Sequence, residues 1–491
     1  MDAIISLCKR RGFAFQSSEI YGGLGGFFDY GPLGCALKKN IKDFWWREMV
    51  QLRENVVGLD SSVIGGSKMW EASGHVAGFS DPMVDCRESG MRYRADQLFF
   101  SPVAISGKTI CHLSILDSPQ MEEDALAMAR SLLKKRGESA APDKLRLRPI
   151  AEATAEELRQ IPSPATGTIG ALTAPRAFNL MFRTSIGAVS DASATAYLRP
   201  ETAQGIFVNF QNVLASSRLK LPFGIGQIGK AFRNEITPRN FLFRMREFEQ
   251  MELEYFIDPD ADWCRIHGEW VESRLAWYRS IGIGDKFLGK EVHAQEKLAH
   301  YARACTDITF RYPFGVCELE GIAARGDFDL RCHSAASGKA LDYFDGDKHF
   351  MPHVIEPSAG VDRVFLAVLC AAYGEDEIGG ERRTLLRLDP KIAPVKVAVL
   401  PLLKNRNDLL QLSREIFLKL RRRWNAVWDS SGAIGRRYRR MDEIGTPLAV
   451  TVDFESLENG SVTMRFRDSA EQVRLSIGEL ESAIGNLVDW K

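Results

Sequence analysis

The chain has 491 residues, too many for one compact core, so two or three domains are expected. Its 45% hydrophobic and 26% charged residues suit a soluble globular protein, and 64 Lys and Arg balance 64 Asp and Glu, so any nucleic-acid footprint must be local. Nine scattered cysteines, with no CxxC pair and no Cys/His cluster at zinc-ligand spacing, argue against a disulfide scaffold and against zinc, and for reduced thiols in a cytosolic protein.

At the N-terminus the apolar stretch Ala3–Cys8 is short of the ~7–15 residues of a signal-peptide core. The longest apolar run elsewhere, Val364–Tyr373, is about half of the ~20 residues that a membrane span needs. No membrane association is therefore expected. Residues 13–31 are rich in glycine and aromatics, and Pro32 stands at a preorganised first helical position. Leu33, Leu37, Ile41, Trp45 and Met49 then recur every fourth residue, predicting a helix with one apolar stripe, followed by a strand near 55–64. The stripe suits a core helix or a dimer-interface helix equally.

From about 97 to 172 the pattern loosens into what reads as an insertion. It holds a helical segment at 121–136, a basic run from Lys134 to Arg148, and a loop at 162–167. Its charges suit a solvated face or an RNA contact. Strand-like alternation occupies 197–256, helices are expected at about 260–281 and 294–305, and a further helix at 359–373. A linker at 379–390 leads into alternating β and α patterns. These are strands at 395–400, 448–453 and 462–467, and helices at 408–423, 434–441 and 477–487. A domain boundary is expected near 390. Residues 391–491 carry 17 Lys and Arg against 13 Asp and Glu, with clusters at Arg421–Arg423 and Arg436–Arg440.

Gly224-Ile-Gly-Gln-Ile-Gly229 fits the GxGxxG spacing of dinucleotide sites. Such a site needs a helix immediately after the glycines, and Ala231–Pro238 instead alternates like a strand and ends in a proline turn. The motif is set aside on that ground.

The chemistry concentrates in two strands and one helix start. Phe232–Arg239 reads as a strand running into a turn, and Arg244–Phe256 as the returning strand. Alternation puts Arg233 and Glu235 on one face of the first. On the second, Arg244, Arg246, Phe248, Gln250, Glu252 and Glu254 share a face, while Met245, Met251, Leu253 and Tyr255 share the other. Guanidiniums and carboxylates on one face are costly to bury without partners. The alternatives are an exposed, salt-bridged hairpin or a nucleotide site, with Arg for phosphates, Phe for stacking and Glu for an exocyclic amine. Val354–Arg363 adds a strand that turns at Pro357 into an apolar helix with Arg363 in its first turn, a natural anion site.

These segments resemble motifs 2 and 3 of class II aminoacyl-tRNA synthetases, and more narrowly the homodimeric type of glycyl-tRNA synthetase. Further stretches look like that family: Tyr21-Gly-Gly, Asp29–Gly34, Ser73–Pro82, Phe178–Phe182, Leu198–Gly205, Glu318–Ala323, Glu356–Gly360 and Gly435–Pro447. The resemblance covers most of the chain except roughly 97–172 and 333–350. It implies an α+β architecture. An antiparallel six-stranded catalytic domain would span 1–390, with the 97–172 insertion and a smaller one at about 257–310. A C-terminal α/β anticodon-binding domain would span 391–491. Implied partners are tRNA(Gly), glycine and a second copy of the chain, with ATP as substrate, Mg²⁺ as cofactor and no zinc.

The resemblance also assigns residues. ATP would be held by Arg233, Asn234, Glu235, Phe243, Arg244, Met245, Arg246, Glu247, Phe248, Glu318, Leu319, Gly360, Val361, Asp362 and Arg363. Among these, Arg233 and Arg363 are the catalytic pair, and Glu318 the Mg²⁺ ligand. Glycine would be held by Arg94, Glu201, Phe248, Glu249, Gln250, Met251, Glu252, Glu356, Pro357, Ser358, Ala359 and Gly360. Glu201, Glu252 and Glu356 suit an ammonium, and Arg94 a carboxylate. Two rivals are a synthetase-shaped binding protein that has lost its phosphate arginines, and a synthetase for serine, threonine or proline. The presence of Arg233, Glu235 and Arg363 weighs against the first, and the glutamate trio against the second.

Overall fold

The glycines of Gly224–Gly229 belong to the middle of a long strand, Phe223–Phe232, and no helix follows them. A Cβ at Gly229 would collide with the buried Arg199 guanidinium, so close side-chain approach, not a dinucleotide, explains that glycine. In the computed structural model, which describes residues 1–118, 120–187, 194–299 and 301–490, this strand lies next to the Val56–Gly58 edge of a seven-stranded sheet.

From one edge the sheet runs Leu288–Val292, Ala304–Tyr312, Gly315–Gly326, His353–Gly360, Glu247–Ile257, Phe223–Phe232 and Val56–Gly58. The first six are antiparallel to their neighbours, and Val56–Gly58 adds a short parallel seventh. Val361–Ala372 supplies the largest helical contribution to the core, with Val364, Phe365, Leu366, Ala367 and Leu369 all 0% exposed. Each large aliphatic or aromatic side chain so buried contributes about 1.5–3 kcal/mol.

The helix predicted after Pro32 spans Pro32–Trp46 and continues as a wider turn over Arg47–Gln51. Leu37, Ile41, Trp45 and Met49 are buried in the chain's own core, so the apolar stripe is an internal packing face. The strand expected at 55–64 is two short ones, Val56–Gly58 and Ile64–Gly66, in different sheets. The helix expected at 294–305 is not formed. Gln295–Lys297 is a single 3₁₀ turn and Ala304 already begins a strand, residue 300 lying outside the described residues. Thr306, Ile308 and Phe310 alternate into the sheet, and that pairing wins over the weak helical spacing. The linker expected at 379–390 is instead half of a hairpin, Tyr373–Ile378 with Glu381–Leu386. Its turn is Gly379-Gly380, both at positive φ as a two-residue hairpin turn requires.

The stretch 97–172, residue 119 aside, builds its own small unit. Leu98–Ile105 and Lys108–Leu116 pair antiparallel, and helix Met121–Lys135 covers them over Val103, Leu113, Ala125, Ala129 and Leu133.

The C-terminal part is a five-stranded sheet in the order Ala426–Trp428, Val397–Pro401, Leu448–Val452, Ser461–Phe466, Gln472–Ser476. Helices Asn407–Leu420, Ile434–Glu443 and Leu480–Val488 accompany it. It has a separate hydrophobic core. Its seam with the larger part is mixed: Leu33 packs on the cluster of Val395, Ala398 and Ala449, the rings of Phe44 and Trp490 meet at 5.4 Å, and polar pairs flank them. Arg383 and Asp442, both buried, pair at 2.8 Å, Glu443 takes Arg10 and Arg11, and Asn40 Nδ2 donates to Ile392 O and Ala393 O at 3.0 and 2.9 Å. Much of the Arg436–Arg440 run is spent on structure. Buried Arg437 donates to Pro401 O, Leu402 O and Asp429 O, and Arg440 pairs with Asp429, while Arg436 stays exposed.

No helix among the described residues is long and apolar enough to cross a membrane.

Candidate active site

Strands Gly315–Gly326, His353–Gly360 and Glu247–Ile257, neighbours in the sheet, form the floor of a cavity of about 350 Å³, and Arg233 enters it just past the end of Phe223–Phe232. It is lined at one end by Arg233, Glu235, Phe243, Arg244, Phe248, Glu318 and Arg363, and at the other by Glu201, Glu252, Glu356 and Ser358. Pairing across the sheet sets this division. Glu252 lies opposite Ser358 and Gln250 opposite Gly360, so the alternating inward faces of both strands open on one space.

At the first end Arg233 Nε donates to Pro200 O at 3.0 Å, which orients its guanidinium over the rings of Phe79 and Phe248, 5.3 and 5.4 Å from their centroids. Arg363 lies over Phe243 at 4.6 Å and pairs with Glu318 at 3.1 Å. The Arg363 guanidinium holds the Glu318 carboxyl below its ordinary range. Three buried polar atoms here have no hydrogen-bond partner: Glu235 Oε2, which has only an ion-pair contact with Arg244 Nε at 4.0 Å, Arg244 Nη1 and Gln250 Oε1. Buried polar groups are almost always satisfied, so orphaned donors and acceptors lining a cavity mark places for a polar ligand. A nucleotide supplies what they lack: an exocyclic amine for the carboxylate, phosphate oxygens for the guanidinium, and a flat ring for Phe248.

The second end is acidic. Glu252 accepts from the hydroxyls of Thr202 and Ser358, the latter at 2.8 Å. Glu356 pairs with Arg325, which also grips Asp329 through two bonds of 2.8 and 2.9 Å. Glu201 lies 3.3 Å from His75 Nε2 and accepts from Gln204 Nε2 at 2.9 Å. Burial raises the pKa of Glu252, with Glu201 adding to it. Burial outweighs the opposing Arg325 charge at Glu356 and pushes it up to about 8. Glu254, deeper still and with both oxygens unpartnered, is raised well above the ordinary range by burial and by Glu356. Glu201 goes the other way: His75 and Arg325 more than offset its burial and hold it low. One guanidinium, that of Arg325, is shared among several carboxyls, so they cannot all be ionised together.

Several residues expected at the site face elsewhere. Met251, Leu319, Ala359 and Val361 are buried in the core on the opposite faces of their elements, and Pro357 alternates away from the cavity, so none of the five lines it. Glu249 is taken by Lys38 and Lys42, and Glu247 by Lys230. Arg246 is spent on Glu235 O and Gly25 O, and the Asn234 backbone N–H donates to Leu180 O. Arg94 does not line the cavity. Asp81 and Asp96 hold it at 2.6 and 2.7 Å, and the cleft residues it couples to are Glu235 and Arg244 at the cationic end, away from the glutamate trio. Asp362 lines the wall but is bound by Tyr30, by Lys38 at 2.7 Å and by the Glu249 N–H at 2.8 Å, so it braces Glu249's strand. Met245 and Gly360 do line the cavity.

Sequence reasoning passed over His75 and Thr202 as functional groups, and left Arg325 and Asp329 even between groups supporting the glutamates and an ordinary salt-bridged strand. The first two lie inside stretches already singled out, Ser73–Pro82 and Leu198–Gly205. What was missing was the partner, since His75 and Glu201 are 126 positions apart and meet only in the fold.

Two family descriptions match the chain: "tRNA synthetase class II core domain (G, H, P, S and T)" over residues 182–373, and "Anticodon binding domain" over 396–487. Among curated proteins the chain is similar to glycine–tRNA ligase of Thermobifida fusca, 48% identical over 98% of this chain and 96% of that protein. It is similar to that of Rhodopirellula baltica at 45% over 99% and 98%, and to that of Thermus thermophilus at 45% over 100% and 99%. With an antiparallel catalytic sheet, a cleft that has cationic and acidic ends, and this likeness along its whole length, the chain belongs to the glycine–tRNA ligase family of class II aminoacyl-tRNA synthetases.

Proposed function

We propose that this cleft joins glycine to ATP as glycyl-adenylate and then passes the glycyl group to the 3′ end of tRNA(Gly). The observation that carries this reading is one cavity with phosphate-binding guanidiniums at one end and a carboxylate trio at the other.

The first step needs positioning more than proton transfer. An α-carboxyl with a pKa of ~3.5 is already ionised at neutral pH. Its oxygen attacks the α-phosphorus, the bond to the bridging oxygen breaks, and pyrophosphate leaves. Arg233 neutralises the α-phosphate, and Arg244 and Arg363 the phosphates beyond it. Glu235 and Gln250 take the base's polar edge, and Phe248 its face. Glu318 is a half-exposed carboxylate oxygen donor at the cavity, which fits a Mg²⁺ ion held mainly by phosphates, whose bound role is to screen their charge. In the second step the terminal ribose hydroxyl of tRNA attacks the adenylate's carbonyl carbon and AMP departs.

Glycine offers only an ammonium and a carboxylate. Glu201, Glu252 and Glu356 meet the ammonium, and Ser358 fixes Glu252. Larger amino acids overlap the walls. A missing methylene is worth only ~1–3 kcal/mol, but glycine has no smaller analogue, so exclusion by size suffices. The segment 391–491 would bind the anticodon, with exposed Arg421 and Arg422 available to phosphates. A homodimer and a cytoplasmic location complete the proposal. Ile20 and Tyr21, 88% and 87% exposed, are apolar side chains that a second copy could cover.

ATP–pyrophosphate exchange run against a panel of amino acids tests the reading. Exchange with glycine alone is expected, and exchange driven by serine, threonine or proline overturns it. Sedimentation velocity tests the dimer, which should run at twice 55.0 kDa.

A further inference from the structure

One wall of the cleft carries three side chains of different chemistry that the two-step reaction does not use: His293, Cys305 and Asp307. The sheet brings them together. Cys305 and Asp307 are two apart on the strand Ala304–Tyr312 and so share a face. His293 directly follows the neighbouring strand Leu288–Val292, whose Glu291 pairs with Asp307, and its backbone N–H donates to Cys305 O at 3.0 Å.

The donor atoms converge. His293 Nε2 lies 2.8 Å from Asp307 Oδ2, and Cys305 Sγ lies 3.6 Å from Asp307 Oδ1. One nitrogen, one sulfur and one carboxylate oxygen from the three all lie within 4.8 Å of one another. None of the three is fully buried, so an ion can reach them from the cavity. Two hydrogen-bonded strands fix the spacing, so little ordering is left to be done on binding.

We propose that His293, Cys305 and Asp307 form a binding site for a borderline-soft divalent cation of the Zn²⁺ class, with its fourth coordination position open to the cleft. The ligand set decides the class. Imidazole, thiolate and carboxylate are zinc's usual donors, and three protein ligands with one place left for water or substrate is the arrangement of open zinc sites, as opposed to closed structural ones. Mg²⁺ prefers six oxygens and gains nothing from sulfur, so this ion is distinct from the one carried on ATP's phosphates. On binding, the Cys305 S–H bond gives way to a sulfur–metal bond, and the proton leaves to solvent. The proposal departs from the expectation, drawn from linear Cys and His spacing, that the protein holds no zinc. The spacing His293 to Cys305 matches no linear motif, because the two strands are joined by a long loop.

The test uses metal-stripped full-length protein titrated with Co²⁺. One equivalent should bind, with a thiolate-to-cobalt charge-transfer band and the visible bands of a four-coordinate ion. Zn²⁺ should displace it, and excess Mg²⁺ should not. Cys305→Ser should lose the charge-transfer band, and His293→Gln should weaken Zn²⁺ binding by more than the roughly tenfold that loss of even an outer ligand partner costs. Circular dichroism of each variant checks its fold. Absence of one-to-one binding, or a charge-transfer band that survives in folded Cys305→Ser, overturns the proposal. Should that variant not fold, an unchanged Zn²⁺ affinity in His293→Gln does so.

Discussion

Glu252 and Ser358 are direct partners across two antiparallel strands, and the Ser358 hydroxyl donates to Glu252 Oε1 at 2.8 Å. Thr202 from a preceding segment holds the other carboxylate oxygen. A long, flexible side chain is thus clamped from both sides before any ligand arrives, which lowers the entropy lost on binding an ammonium.

Removing one clamp tests this. A hydrogen bond to a charged group contributes about 1.5–3 kcal/mol, so Ser358→Ala should raise the KM for glycine by about tenfold to a hundredfold. The KM for ATP should change little, because Ser358 lies at the acidic end. Pyrophosphate exchange with each substrate varied in turn measures both, and an unchanged glycine KM removes Ser358 from the site.

Arg233→Ala takes away a phosphate ligand without opening the core. Loss of one preorganised donor to a transition-state oxygen costs about 10²–10³ in rate, so adenylate formation should fall at least that far. The thermal midpoint should stay within a few degrees of the parent's. Near-normal exchange by this variant would refute the assignment.

Glu356 gives a pH signature. Its pKa rises from an ordinary 4.5 to about 8 on folding, so the folded chain keeps a proton that the unfolded chain releases between those values. The protonated form's contribution to stability is therefore full below about 4.5 and lost as pH rises through about 8. Glycine's ammonium needs the ionised carboxylate, so binding at pH 7 should release protons, and affinity should strengthen as pH climbs toward 8. Calorimetry in two buffers of different ionisation enthalpy measures the release. It should shrink sharply in Glu356→Gln, and equal release in both proteins rules out Glu356 as its source.

Truncation tests the division of labour. Removing 396–491 strips Asp442 from buried Arg383 and Glu443 from Arg10 and Arg11. Breaking a buried pair costs about 3–5 kcal/mol, so the thermal midpoint should fall even if the catalytic part stays folded. Adenylate formation should persist at a temperature below the new midpoint, while tRNA charging is lost. Equal loss of both activities in a folded truncated chain would place the boundary elsewhere.

Local periodicity carried much of the architecture. The apolar stripe from Leu33 to Met49, the alternation through Glu247–Ile257 and the run in Val361–Ala372 are short-range patterns, set by 3.6- and 2-residue repeats that survive without knowledge of the fold. The same alternation put Arg244, Arg246, Phe248, Gln250, Glu252 and Glu254 on one face; Phe248, Gln250 and Glu252 do line the cavity from the strand and Arg244 from the turn before it, while Arg246 and Glu254 do not. It failed where two weak patterns competed, as at Ala304–Tyr312, and where a Gly379-Gly380 turn was read as a linker instead of a hairpin.

Convergence was another matter. That His75 would meet Glu201, 126 positions away, that Arg325 would sit between Glu356 and Asp329, and that His293 would stand beside Asp307 depends on which strands and segments pair and in what register. Residue types along a strand tell which side a group faces. Which distant group faces it, and so which carboxyl keeps its proton and where a cation can bind, is decided by burial and long-range pairing, and those exist only once the sheet has formed.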